Sequence, residues 1–142
     1  MNTSQTLQTV VTDSTALLHQ IQNVHWNVTG AQFYPIHKLT EEQYEELFPA
    51  IDEVAERLRA IGHTVIITPE SLVQSKVPQI DSNADAKTML QGLIAGHEVV
   101  RASIQIAIET ADDADDEGTE DLMIARAQVH DKALWMLKAM LA

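Results

Sequence analysis

The sequence predicts an all-α fold, a four-helix bundle with a short extra helix in the crossover between the second and third helices. Two observations predict it: apolar residues recur at helical spacing in four long segments, and glycine or proline stands where several of these segments begin or end. The pattern is helical along the whole chain. Because 142 residues are enough for one ordinary core, we expect a single domain over residues 1–142.

The first two helices are predicted over Thr3–Val28 and over residues 34–61. Gly30 separates them, since glycine tolerates the left-handed conformation at a helix end. Pro35 fits the first turn of the second helix, where a missing N–H costs little. Pro49 falls inside the second helix and removes one backbone hydrogen bond, so we expect either a kink near it or two separate helices.

The crossover and the last two helices follow from capping and periodicity. Thr68 is the candidate N-cap of a short helical turn that begins at Pro69. A polar connection over residues 78–85 precedes a third helix over about Asp85–Ala111. The acidic run Asp112–Asp121 then separates the third helix from a fourth, which reaches the C-terminus.

Composition restricts the chemistry. The chain has no cysteine, which excludes disulfides, thiolate catalysis and sulfur-rich metal sites, so a metal must be held by His, Asp and Glu. Such ligands suit iron, manganese or zinc. The net charge is −12 and the first basic residue is Lys38, which disfavours phosphate binding and favours cations. With no signal-like N-terminus and no apolar run of about 20 residues, we expect a cytoplasmic protein that does not enter membranes.

Five side chains are candidate ligands of a metal site that one chain cannot close: His25, His37, Glu41, Asp52 and Glu56. If the second helix is continuous, His37 and Asp52 lie roughly 22 Å apart along its axis. Ligands of one ion lie about 2.0–2.2 Å from it. Either these residues are unrelated, or the histidine side of one chain meets the carboxylates of another across a two-fold axis.

Four of the five candidates, all except His37, also have a purely structural interpretation. Asp52 and Glu56 could form a solvated acidic pair in a surface network with Arg59. His25 could be a hydrogen-bonded core histidine. Glu41 could belong to a solvated acidic face with Glu42, Glu45 and Glu46, and it is selected by its register alone. An intrachain di-iron site would need Glu-x-x-His motifs, and the sequence contains none. Four other histidines are interpreted as core or surface residues: His19, His63, His97 and His130.

Several motifs occur in order along nearly the whole chain. They are His25-Trp26-Asn27-Val28-x-Gly30, then Phe33 and His37, then Asp52-Glu53-Val54-Ala55-Glu56-Arg57, and finally Trp135-Met136-Leu137-Lys138. In this combination the sequence resembles the Dps miniferritins, the DNA-binding proteins from starved cells and their neutrophil-activating relatives.

The resemblance implies a ferritin-like bundle that assembles into a hollow dodecamer with di-iron ferroxidase sites between subunits. By position, His25, His37 and Glu41 would come from one chain, and Asp52 and Glu56 from its partner. Many relatives have Asp where Glu41 stands, so its contact with iron would be direct or through water. The implied function is oxidation of Fe²⁺, with hydrogen peroxide as the preferred oxidant, and storage of ferric mineral that protects against oxidative damage.

The resemblance assigns two further roles. Trp26 would lie beside the iron centre as an electron donor or radical sink, with core packing as the alternative interpretation. Asp112, Glu117 and Asp121 would line a three-fold entry pore for Fe²⁺, with a solvated acidic loop as the alternative.

A second function belongs to the same family: protection of DNA by coating it. Relatives that do this commonly use lysine-rich termini, whereas residues 1–37 contain no lysine or arginine. We therefore expect weak or no direct DNA binding.

Overall fold

The computed structural model describes residues 1–142 and contains five helices and no strands. The helices are α1 (Thr3–Asn27), α2 (Phe33–Ala60), α3 (Pro69–Val73), α4 (Ala86–Asp113) and α5 (Glu117–Leu141). The predicted fold class is confirmed: four long helices form the bundle, and the short α3 lies in the crossover between α2 and α4.

The first two helices form as the sequence predicts. Asn2 caps α1 by accepting a hydrogen bond from the backbone N–H of Gln5, whose side chain in turn accepts from the Asn2 N–H. Gly30 adopts a φ of +102° in the connection that follows. α2 continues through Pro49 as one helix, so the alternative of two separate helices is wrong. The two predicted ligand groups therefore lie on one continuous helix.

The crossover is tied to the bundle at several points. Thr68 caps α3 as predicted, and Ser71 completes a capping box that the sequence analysis had not predicted. The buried carboxylate of Asp13 accepts hydrogen bonds from the hydroxyls of Ser75 and Ser103, each at 2.6 Å. These bonds join α1, the crossover and α4, and they hold the long connection against the bundle.

The acidic run does not form the connection that the sequence suggested. α4 extends to Asp113 and α5 begins at Glu117, so most of the run is helical and only residues 114–116 join the two helices. Asp116 caps α5 by accepting from the backbone N–H of Thr119. Arg57 of α2 donates to both Asp116 (2.7 Å) and Thr119 (2.9 Å), which fixes the start of α5 against α2.

The core lies among the four long helices. α1 packs against both α2 and α4, and α4 packs against α5, whereas α2 and α5 make few direct contacts. The largest fully buried apolar side chains are Leu7, Leu17, Ile21, Ile36, Leu58, Met89, Leu90, Leu93, Ile104, Met123 and Leu137. None of the helices combines the length and the apolar character that crossing a membrane requires.

Candidate metal site

The structure brings His25 and His37 into direct contact where the end of α1 meets the start of α2. Their rings stack with centroids 3.9 Å apart and an interplanar angle of 14°. The Nδ1 atom of each imidazole lies 2.8 Å from the backbone carbonyl oxygen of the other residue. Because a carbonyl only accepts, each Nδ1 carries the proton, and the lone pair of each Nε2 is left for a metal ion.

Neighbouring side chains hold the two rings in place. The hydroxyl of Thr40 donates to the Ile36 carbonyl at 2.7 Å and lies 3.2 Å from the Nδ1 of His25, so it can accept from that N–H. Tyr44 packs edge-on against His25, with centroids 5.1 Å apart. Phe33 stacks on His37, also at 5.1 Å. His25 is 6% exposed, as the core interpretation expected, but no group of the chain donates a hydrogen bond to its Nε2, whose lone pair stays free.

Glu41 lies one turn beyond His37 and is half-buried. Its carboxylate pairs with the Lys38 ammonium at 3.1 Å. The hydrogen bond and charge of Lys38 lower the pKa of Glu41, and the nearby His25 and His37 lower it further. Lys38 responds in the opposite direction, since the same partner raises its pKa. Glu41 is therefore an ionised carboxylate beside the histidine pair.

Asp52 and Glu56 lie on the distal half of α2 and are exposed. Neither forms a salt bridge within the chain. The predicted alternative of a network with Arg59 is wrong, because the Arg59 guanidinium instead donates to the backbone carbonyl of His63 at 3.1 Å. Both carboxylates are thus unpaired within the chain and can bind a cation or a group of another chain.

One chain does not assemble a complete metal site. No three of its His, Asp and Glu side chains come close enough to share an ion. The structure places His25, His37 and Glu41 at one end of α2, and Asp52 and Glu56 at the other. Each chain therefore carries two separated sets of potential ligands.

Exposed apolar side chains lie on the elements that carry both sets of potential ligands. Trp26 is 68% exposed, so its interpretation as a core residue is wrong for the single chain. Tyr34 and Phe48 are also largely exposed. A cavity of about 530 Å³ opens beside Asp52, and most of its lining is apolar, including Phe48 and Ile67. Apolar surface on this scale is typical of a face that contacts another protein.

The three pore candidates are all exposed, but they lie on different elements. Asp112 is in the last turn of α4, Glu117 is the first residue of α5, and Asp121 lies one turn further. The hydrogen bonds from Arg57 to the start of α5 hold the turn that carries these residues in place. Negative charge is therefore concentrated at one end of the bundle on a well-defined turn.

Sequence reasoning missed a polar cluster inside the bundle. The imidazoles of His97 and His130, both buried, have Nδ1 atoms 3.0 Å apart. Arg126 lies next to His130 and pairs with Glu46. The spacing of Arg126 and His130, four residues apart on one helix, was the available signal. His97 could be linked to them only through the packing of α4 on α5.

The chain matches a known family and named relatives along nearly its whole length. The ferritin-like domain family matches residues 4–142. A relative from Bacillus anthracis named DNA protection during starvation protein 2 is 32% identical, and the match covers 96% of this chain and 94% of the relative. General stress protein 20U from Bacillus subtilis is 33% identical over 96% of this chain and 95% of its own length.

Solved structures agree in fold. A Dps protein from Bacillus brevis superposes with a TM-score of 0.92 at 31% identity, covering 99% of this chain and 95% of the other. A Vibrio cholerae Dps protein, described as a member of a broad superfamily of ferritin-like diiron-carboxylate proteins, also gives 0.92, at 26% identity over 99% of this chain and 89% of the other.

Proposed function

The chain belongs to the Dps family of ferritin-like proteins, and on this premise we propose that it is a ferroxidase that oxidises and stores iron. The observation that carries the proposal is the orientation of His25 and His37. Their Nδ1 protons are bound to backbone carbonyls, and their Nε2 lone pairs remain available. Imidazole and carboxylate together suit Fe²⁺.

The proposed site forms between two chains. His25 and His37, with Glu41, come from one chain, and Asp52 and Glu56 come from its partner. Two-fold symmetry places α2 antiparallel to its copy and generates the site twice. The exposed Trp26, Tyr34 and Phe48 and the apolar cavity beside Asp52 support burial of this face against a second copy.

Iron is the substrate at this site. Two Fe²⁺ ions each give up one electron, and hydrogen peroxide takes both, so that its O–O bond breaks and two hydroxide ions form. The neutral imidazoles and the ionised carboxylates hold the two ions close together, and the ferric product moves into the interior of the assembly. Binding requires unprotonated ligands, so oxidation slows in acid.

We assign supporting roles to two further groups. Trp26 adjoins His25 in sequence and serves as an electron donor or radical sink during oxidation. Asp112, Glu117 and Asp121 concentrate negative potential around a three-fold pore and attract Fe²⁺ to it. The pore requires assembly into a dodecamer, the state expected for this family. We propose that the dodecamer acts in the cytoplasm.

The test is oxidation of Fe²⁺ by hydrogen peroxide under anaerobic conditions, followed by the absorbance of the ferric product. Replacement of both Asp52 and Glu56 by alanine abolishes fast oxidation. Glu53, which is exposed on the same helix between them, provides the control: Glu53→Ala retains the rate. Full activity after loss of both Asp52 and Glu56 would contradict the proposal.

A further inference from the structure

Arg57, near the end of α2, binds the start of α5 rather than a side chain of its own helix. Its guanidinium donates to the carboxylate of Asp116 at 2.7 Å and to the hydroxyl of Thr119 at 2.9 Å. Together with Gly118, these two residues form a socket for the guanidinium. We infer that the socket withholds Arg57 from the carboxylates of α2 and thereby keeps Glu56 free for a metal ion. The inference rests on the proposed function only in naming Glu56 as a ligand of Fe²⁺.

Two glutamates of α2 would be natural partners of Arg57. Glu53 precedes it by four residues, which is the spacing and the order of charges that favours an ion pair on a helix. Glu56 is near as well, since Glu53, Glu56 and Arg57 all line one cavity of about 580 Å³. Yet neither glutamate forms a salt bridge within the chain. The bonds to α5 therefore hold the guanidinium away from two carboxylates that face the same space.

The socket has room for the guanidinium because residue 118 is glycine. A Cβ atom at Gly118 would lie 2.9 Å from the Nη2 of Arg57 and 3.2 Å from its Cζ, which is too close for non-bonded atoms. The backbone does not require glycine here, since only Gly30 and Gly62 have a positive φ. Glycine also lowers the stability of a helix relative to alanine. The contact with Arg57 accounts for the glycine at this position.

Asp116 also balances the charge of the guanidinium. Hydrogen bonding from Thr119 is the main cause that lowers the pKa of Asp116, and Arg57 lowers it further, so the carboxylate is ionised. A released guanidinium would lose this partner and bring its positive charge into the cavity that Glu53 and Glu56 line. There it would pair with one of these carboxylates and oppose the binding of a cation.

The test is calorimetric titration of Fe²⁺ under anaerobic conditions at low ionic strength. Gly118→Leu fills the socket and releases Arg57, and the affinity for Fe²⁺ is expected to fall about threefold, a change of the size that an exposed salt bridge contributes. Adding Arg57→Gln returns the affinity to that of the Arg57→Gln single variant, because the competing charge is gone. The matched control adds Arg101→Gln instead, which removes an arginine that pairs with Asp131 of α5 at 2.8 Å, and restores nothing.

A second variant releases Arg57 without adding volume. Asp116→Asn still caps α5, since asparagine is as good an N-cap as aspartate, but it carries no charge to balance the guanidinium. The same loss of affinity is expected, again recovered by Arg57→Gln, and this variant decides the question if Gly118→Leu does not fold. A folded variant of either kind that binds Fe²⁺ as tightly as the wild type overturns the inference. A loss that persists after Arg57→Gln also overturns it, because the cause would then be the altered start of α5.

A measurement without metal separates this inference from the proposed function. A double-mutant cycle of urea unfolding combines Arg57→Gln with joint replacement of Glu53 and Glu56 by glutamine. The coupling between Arg57 and the two glutamates should be larger in the Gly118→Leu or Asp116→Asn background than in the wild type, and equal coupling refutes the inference. If Glu56→Gln leaves the Fe²⁺ affinity of the wild type unchanged, the proposed ligand is wrong, whereas the cycle still decides which carboxylates Arg57 binds.

Discussion

His25 and His37 each hold the other's imidazole in the orientation that a metal ligand needs. The two Nδ1-to-carbonyl bonds, both 2.8 Å, run in opposite directions between the end of α1 and the start of α2. Backbone carbonyls therefore set the tautomer of both rings, and no acidic side chain is needed for that purpose. This arrangement links the short connection between α1 and α2 directly to the proposed chemistry.

The hydroxyl of Thr40 should contribute to the affinity for Fe²⁺ through His25. Thr40→Val keeps the volume but removes the oxygen 3.2 Å from the His25 Nδ1. We expect about a tenfold loss of Fe²⁺ affinity, with Thr40→Ser retaining most of it. Calorimetric titration under anaerobic conditions measures this. Thr15→Val is the control, because Thr15 also donates to the carbonyl four residues earlier but forms no hydrogen bond with a histidine. Equal affinity in wild type and Thr40→Val would disprove the role.

The buried pair His97 and His130 should make stability depend on pH. Both have folded-state pKa values below the ordinary value of 6.5, and that of His97 is about 4. The unfolded chain therefore takes up protons first, so stability is fully present above about pH 6.5 and falls as the pH drops. His97 alone accounts for about 3 kcal/mol between pH 6.5 and pH 4.

Urea unfolding at a series of pH values measures this dependence. His97→Leu should reduce the slope below pH 6.5, whatever its effect on stability at neutral pH. His63, which is exposed, provides the control, since His63→Gln should leave the slope unchanged. An unchanged slope in His97→Leu would show that this histidine is protonated equally in both states.

The crossover should be sensitive to the size of residue 92. A Cβ atom at Gly92 would lie 2.6 Å from the Cγ1 of Ile80, too close for two carbon atoms. Gly92→Ala should destabilise the protein by about 1–3 kcal/mol, although alanine alone favours the helix by about 1 kcal/mol. With Ile80→Ala as the second change, a double-mutant cycle of unfolding free energies should show that the double variant loses less than the two single losses combined. Additive losses would contradict the steric explanation.

Direct coating of DNA should be weak or absent. The chain carries a net charge of −12, and no basic cluster offsets it. In a gel shift with EDTA we expect no retardation even at low salt, whereas a version with an added lysine-rich N-terminal extension should retard the DNA. Stoichiometric retardation of the unmodified protein with EDTA present would restore DNA coating as a function, and retardation only with a divalent metal would indicate bridging.

The parts of the fold that depend on local pattern were predictable. Apolar periodicity indicated the four long helices. The fixed rise per residue of a helix was enough to predict that His37 and Asp52 lie too far apart to bind one ion within a chain. Pro49 was ambiguous, because a proline interrupts one backbone bond and packing decides whether the helix continues. The start of α5 was missed although Asp116 and Thr119 have the spacing of a capping pair, since the surrounding acidic residues suggested a solvated connection.

Contacts between distant segments were not predictable. The bonds between His25 and His37 depend on how closely α1 approaches α2. The cluster of Arg126, His97 and Glu46 requires three helices to pack in one register. Periodicity assigns residues to a buried face, but it does not specify which side chains on three such faces will meet.

Sharing of the iron site between chains is the central claim, and co-assembly of two inactive variants tests it most directly. One variant carries His25→Ala and His37→Ala, and the other carries Asp52→Ala and Glu56→Ala. In a mixed two-fold dimer one site loses both halves and the other keeps both. After the two variants are unfolded and refolded together in equal amounts, about one quarter of wild-type ferroxidase activity should return, since half of randomly paired dimers are mixed and each has one intact site. No activity after verified co-assembly would contradict the account and would place the ligands of each site within a single chain.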